Sequence, residues 1–398
     1  MVDVATVALL TVALAASFFA AWTIGAGSTG STPFAPAVGA NAIPTMQAAF
    51  IVGLLGFAGA VFQGAAVTET VGEGLIGEVT LSPLAATVAL TIAAIYIAAG
   101  VFKGYPIATA FAITGSVVGV GLAMGGDPVW DRYGEIVLYW LVTPIVVAPA
   151  AYATTRILRS DDVPERWFVP VLGAVVGVVV ANMEFLFLGP AGEQASLATV
   201  LGERIAGSGL LGPALVSLAL ALVFGFVIYR AIRWDAVTAL QWFLLGLGSL
   251  VAFTAGGGKV GLAVGPLLPL LENVWGTTPM TPVLIFGGFG MLLGTWMLAS
   301  RMIKALAQDY SDLGPRRSIG VLIPAFIIAQ IGIFFGIPMS FNEIFISAIA
   351  GTGYATQTGG VSQSKLFYTA LAWIGSLLFS LFVGYGVYAG LDWVLAAV

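Results

Sequence analysis

Residues 25–45 read GAGSTGSTPFAPAVGANAIPT and follow directly on an apolar run over 4–24. Gly, Pro, Ser and Thr at this density do not make a lipid-facing helix, because every backbone group left unpaired in hydrocarbon carries a large penalty. The stretch is expected to face protein or water inside a membrane-embedded fold. The rest of the chain agrees: of its 398 residues, 59% are hydrophobic and 8% charged, against roughly 25% charged in soluble domains. A hydrocarbon core about 30 Å thick is crossed by roughly 20 apolar residues. Runs of this kind lie near 4–24, 48–66, 84–102, 105–125, 134–156, 167–188, 208–229, 238–255, 260–271, 282–303, 318–337, 338–357 and 366–391. They predict an all-α polytopic protein of about 10–12 transmembrane segments with broken and re-entrant pieces. The first run has no basic segment ahead of it and reads as a span rather than a signal peptide. The expected location is the cell membrane, multi-pass.

The chain has no Cys and no His. Disulfides, thiolate or imidazole metal sites, imidazole proton relays and Ser-His triads are therefore excluded. Carboxylates, Lys, Arg, hydroxyls and backbone are the remaining chemistry, so neither an enzyme nor a resident cofactor or metal is expected. The net charge of −5 lies on loops and identifies no substrate.

Basic residues orient the spans. Arg156, Arg159 and Arg166, then Arg230 and Arg233, then Arg301, Lys304, Arg316 and Arg317 form three clusters expected on the cytoplasmic side. The loops carrying Glu69, Glu73 and Glu78, and Glu193, Glu203 and Arg204, are net acidic and fall on the other face. On this count residues 1–125 begin and end outside, and 238–357 begin and end inside. Two inverted-topology repeats are expected, with 126–237 as linking helices and 358–398 as a C-terminal transmembrane helix. Gly25-Ala26-Gly27-Ser28 is expected to match Gly256-Gly257-Gly258-Lys259, and Gly104-Tyr105-Pro106-Ile107-Ala108-Thr109 to match Gly336-Ile337-Pro338-Met339-Ser340-Phe341. Paired interruptions at corresponding positions point to a transport path.

Helix N-termini at such breaks direct backbone N–H groups at an anion. Gly27, Ser28, Thr29, Ser31 and Thr32, with Thr109 and Thr114, and Gly258, Ser340 and Asn342, form the expected donor set. Lys259 is the sharpest single residue, because an ammonium at membrane depth must face a cavity or a partner. Glu343 is the second such charge, a partner for Lys259 or a carrier of a coupled proton. Glu184 reads as interfacial, Lys103 as an anchor, and Trp22, Trp140, Trp167, Trp242 and Trp296 as interfacial belts.

The run Gly288-Phe289-Gly290-Met291-Leu292-Leu293-Gly294-Thr295-Trp296, then Arg301-Met302-Ile303, Leu313-Gly314-Pro315 and Gly336-Ile337-Pro338-Met339-Ser340 resembles the inorganic phosphate transporter (PiT) family, as does Val67-Thr68-Glu69-Thr70. The resemblance implies two inverted repeats, each with a G-A-N-D signature and a re-entrant hairpin, phosphate moved with Na⁺ or H⁺, and a homodimer. This chain departs from the pattern at its centre: Gly25-Ala26-Gly27-Ser28 and Gly256-Gly257-Gly258-Lys259 stand where the signatures are expected, so both carboxylates are missing. Gly39-Ala40-Asn41 is a decoy by its spacing to Gln47. Sulfate permeases of the same family are similar in carrying G-A-x-G, so sulfate competes with phosphate, and a passive anion channel is a third reading. The expected partners are the oxyanion, the lipid bilayer and a second copy of the chain, with no nucleic acid. A fixed ammonium can supply the positive charge that a bound Na⁺ otherwise gives to an anion.

Overall fold

A computed structural model describes residues 4–77, 79–190, 193–277, 280–308, 310, 313–355 and 362–396. Glu78 of the acidic loop lies outside them. In chain order, α1 (Val4–Ile24) runs into a π-helical turn (Gly25–Thr29), then α2 (Ala35–Gly39), α3 (Thr45–Gln63), α4 (Ala65–Glu73), α5 (Pro83–Lys103), α6 (Thr109–Ala123) and α7 (Trp130–Leu158). Next come α8 (Glu165–Ala181), α9 (Leu197–Ala206), α10 (Leu211–Trp234), α11 (Ala236–Val264), a 3₁₀ turn (Gly265–Leu267), α12 (Leu268–Trp275), α13 (Met280–Gln308), α14 (Pro315–Phe334), α15 (Phe341–Tyr354) and α16 (Gln363–Ala396). Two minimal antiparallel ladders tie loops together: β1 (Ile76–Gly77) with β2 (Asp127–Pro128), and β3 (Glu184–Phe185) with β4 (Ala195–Ser196).

Nine helices among the described residues are long and apolar enough to cross a membrane, and α6 is a shorter apolar helix. At 17 and 14 residues, α8 and α15 fall below that length. The chain is a multi-pass membrane protein. Its outer surface carries bulky apolar side chains such as Leu218, Leu222 and Phe226 on α10 and Phe382 on α16, all exposed, as lipid contact demands. Inside, small residues let backbones touch. A Cβ on Gly59 would lie 1.7 Å from the Phe253 carbonyl oxygen, and one on Gly256 would lie 1.9 Å from that of Gly56. Helices in lipid gain little from hydrophobic exclusion and associate through this close packing.

That packing corrects one expectation. Gly256-Gly257-Gly258 is not a break: all three lie within the regular helix α11. Gly256 and Gly257 make room for α3 and Gly258 for α14 and α15, and the chain breaks further on, at Gly265–Leu267. The segment 25–45, in contrast, does interrupt its helix. The Gly30 N–H bonds the Gly25 carbonyl at 2.9 Å, a five-residue spacing that widens the last turn. Residues 25–37 are buried throughout, as expected of a segment that faces protein rather than lipid.

α5–α6 and α14–α15 are two hairpins with matching tips. After α5, the N–H groups of Tyr105 and Gly104 bond the carbonyls of Gly100 and Val101; after α14, those of Ile337 and Gly336 bond Gly332 and Ile333 in the same pattern. This double closure requires a left-handed residue, supplied by Gly104 (φ 73°) and Gly336 (φ 63°). Each tip then runs extended through Pro106 or Pro338 before the next helix starts. The arginine clusters around Arg166 and Arg316 share a face, because Arg316 on α14 pairs with Glu165 on α8. At such exposure the pair contributes about 0–1 kcal/mol, so it reports sidedness rather than stability.

Candidate functional site

The two hairpin tips meet at Lys259. Its ammonium donates to Thr109 Oγ1 at 2.6 Å, from the start of α6, and to the Met339 carbonyl at 2.7 Å, just before α15. The Phe341 ring lies 5.7 Å away, close enough for a cation–π contact. Lys259 and Thr109 are fully buried. Two acceptors account for two of the three ammonium hydrogens. Thr109 accepts from the ammonium, and among the described residues its own hydroxyl hydrogen has no protein acceptor.

Asn342 is a second cross-link. Its Nδ2 donates to the Gly27 carbonyl at 3.1 Å and the Ile107 carbonyl at 2.7 Å, joining α15 to the π-helical turn and to the first tip. Its Oδ1 is buried without a hydrogen-bond partner, as are Ser28 Oγ, Thr29 Oγ1 and Thr114 Oγ1. An unpaired buried polar atom carries a penalty of about 1–3 kcal/mol, and the Asn342 orphan, whose amide bonds the carbonyl of Gly27 next to Ser28, marks this junction as a candidate ligand site.

The other expected donors have different fates. Ser31 and Thr32 turn their hydroxyls back on the carbonyls of Gly27 and Ser28, so their hydrogens are already spent on backbone. Ser340 caps α15 by accepting from the Glu343 N–H. Gly258 lets α11 approach the rings and side chains opposite, a Cβ there meeting Phe341 and Ile333 at 3.3 Å. Glu343 is buried beside the site, but no salt bridge joins it to Lys259. The two carboxylate–cation pairs within 4 Å among the described residues are elsewhere. The charges of Lys259 and Glu343 still act on each other across the interior.

Two tryptophans that sequence reading did not place at the site hold it from outside. Trp140 on α7 donates to the Pro338 carbonyl at 2.9 Å, and Trp373 on α16 donates to the Pro106 carbonyl at 3.1 Å. One indole thus secures each tip. Trp140 is 6% exposed and stacks on Phe111, so it is not part of an interfacial belt; Trp167 and Trp242 are exposed as a belt requires. Gln63 and Gln330 bond each other amide to amide, and Gln330 also bonds Thr254. The decoy Asn41 sits exposed in a left-handed turn (φ 56°).

The α6 N-terminus has no side-chain cap, and α15 starts at the same junction. Two positive helix ends and an ammonium therefore meet at one buried junction. The profile of the phosphate transporter family matches residues 24–384. The chain belongs to the phosphate transporter family. A Pyrococcus horikoshii permease named for phosphate is 26% identical, with 89% of this chain and 91% of that one covered. The Arabidopsis thaliana inorganic phosphate transporter 2-1 of the chloroplast is 23% identical over 90% of this chain and 68% of its own length. A solved structure titled the sodium-dependent phosphate transporter superposes with a TM-score of 0.81 at 23% identity, covering 98% of this chain and all of that one. The transporter thus shares that overall fold over nearly its whole length.

Proposed function

We propose that this chain carries inorganic phosphate across the membrane, binding it at the junction of the two hairpin tips. The observation that carries the reading is the convergence of the α6 and α15 N-termini on the buried ammonium of Lys259. There the orphan Ser28 and Thr29 hydroxyls and the free Thr109 hydrogen supply donors, and Gly27, Gly258, Ser340 and Asn342 shape the pocket around them. Phosphate, unlike fully ionised sulfate, also donates hydrogen bonds. The orphan Asn342 Oδ1 and the nearby Glu343 carboxylate offer acceptors, which favours phosphate. Glu343, buried and within electrostatic reach of Lys259 and the Tyr139 phenol, carries a coupled proton.

Residues 1–125 and 238–357 act as two inverted repeats. The matching tips and the paired Trp140–Pro338 and Trp373–Pro106 bonds support this division. The protein works as a homodimer, a state that light scattering of the detergent complex would measure. The decisive experiment is uptake of radiolabelled phosphate and sulfate into proteoliposomes with Na⁺ and pH gradients imposed separately. Phosphate accumulation driven by a proton gradient is expected. Preference for sulfate would assign the protein to the sulfate branch, and flux indifferent to every gradient would make it a channel.

A further inference from the structure

We infer that the ammonium of Lys259 is a tethered cation filling a position that a sodium ion would otherwise take, so the junction of the hairpin tips needs no Na⁺. The proposal rests on the phosphate reading above and specifies how that site is charged.

Three features carry it. The atoms receiving the ammonium are neutral oxygens, one hydroxyl and one backbone carbonyl, at 2.6 and 2.7 Å. Such oxygens are the ligands that hard, small cations accept. They come from different hairpins, so whatever occupies the position bridges the two tips as a bound ion would. Finally, among the described residues no carboxylate lies within 4 Å of the ammonium, so no direct ion pair occupies it, and Glu343 acts on it only at longer range. The ammonium remains available to an anion.

A sodium ion does not fit beside it. The position already holds one positive charge, fully buried, and a second would face it at close range in a medium of low dielectric. The neighbour titled sodium-dependent and this chain are therefore expected to differ here. Lys259 reaches the oxygens on a flexible stem from within the continuous helix α11, whereas a free ion has to be recruited from solution. The ammonium also needs no concentration gradient to stay in place. Any coupling in this transporter then lies with another group.

The test exchanges the tether for a ligand. Wild type, Lys259→Met and Lys259→Asp are purified in detergent and melted in Na⁺ or in choline, and their phosphate uptake is measured in proteoliposomes under the same two cations. Methionine keeps the bulk of the stem without charge, and aspartate offers a carboxylate to complete a site with Thr109 and Met339. Wild-type melting is expected to be indifferent to Na⁺, as is its uptake, within twofold. Lys259→Met should lose uptake at least tenfold under both cations. Lys259→Asp should melt about 2–4 °C higher in Na⁺ than in choline and transport only in Na⁺. Wild type stabilised by Na⁺ through this junction, or Lys259→Met with normal uptake, would overturn the inference, and so would Lys259→Asp showing no Na⁺-dependent melting. The melting arm does not use phosphate. A wild type that fails to transport phosphate yet melts without regard to Na⁺ refutes the phosphate reading and leaves the tethered cation standing.

Discussion

Replacing Thr109 by valine removes one atom of chemistry and almost no volume. The lost oxygen accepts a hydrogen bond from Lys259 at 2.6 Å, and both side chains are fully buried, so no water replaces it. A hydrogen bond to a charged group contributes about 1.5–3 kcal/mol, and burial of both ends places this one near the upper figure. At about 1.4 kcal/mol per factor of ten, phosphate affinity and uptake at limiting substrate should fall about 10- to 100-fold. Thr109→Ser keeps the oxygen and should stay within a few-fold of wild type. The assay is initial-rate phosphate uptake in proteoliposomes, run as a cycle of Thr109→Val, Lys259→Met and the double variant. If the bond matters as described, Thr109→Val adds little once the ammonium is gone, and the cycle shows a coupling of about 1 kcal/mol or more. Thr109→Val within twofold of wild type, or losses that simply multiply, would refute the reasoning.

Gly59→Ala should destabilise the fold by about 1–3 kcal/mol, seen as a lower melting temperature in detergent, because its Cβ would meet the Phe253 carbonyl at 1.7 Å. Gly246→Ala, with nothing within 4 Å, is the control and should melt no lower than wild type. Asn342→Leu leaves the buried Ile107 carbonyl without its 2.7 Å donor and should lower stability by about 1–3 kcal/mol together with uptake; a variant that melts and transports normally would remove Asn342 from the site. Burial holds the Glu184 carboxyl above the ordinary carboxylate range. A raised acid contributes stability below its unfolded value and loses it as pH rises through the folded one. Wild-type melting should therefore decline with pH just above the usual carboxylate range, and Glu184→Gln should flatten that slope; identical profiles would count against it.

Much of the site was legible because its residue types are rare where they stand. Lys259 and Glu343 are charges within apolar runs, and a buried charge demands a reason. Gly104 and Gly336 were legible because each sits two residues before a proline at a helix end, and the left-handed closures found there need no partner from elsewhere in the chain. What could not be read was which atoms meet. The Gly256–Gly258 run reads as a break because local glycine content is ambiguous between a hinge and a contact. Only the approach of α3 to Gly256 and Gly257, and of α14 and α15 to Gly258, decides for contact. Trp140 reads as an interfacial residue because its hydropathy is right for a belt; that its N–H reaches the Pro338 carbonyl depends on how α7 lies against α15.

By itself, the amino-acid sequence determined the solvent, the helical class, the hairpin tips and the candidate charges, because each depends on composition or on neighbours a few residues away. The tertiary structure alone decided that Lys259 bonds Thr109 and Met339 rather than Glu343, and that Asn342 joins two halves. Those outcomes rest on distances between residues up to 315 positions apart, and in a membrane such distances are set by the fit of small residues across helix faces, which no local pattern encodes.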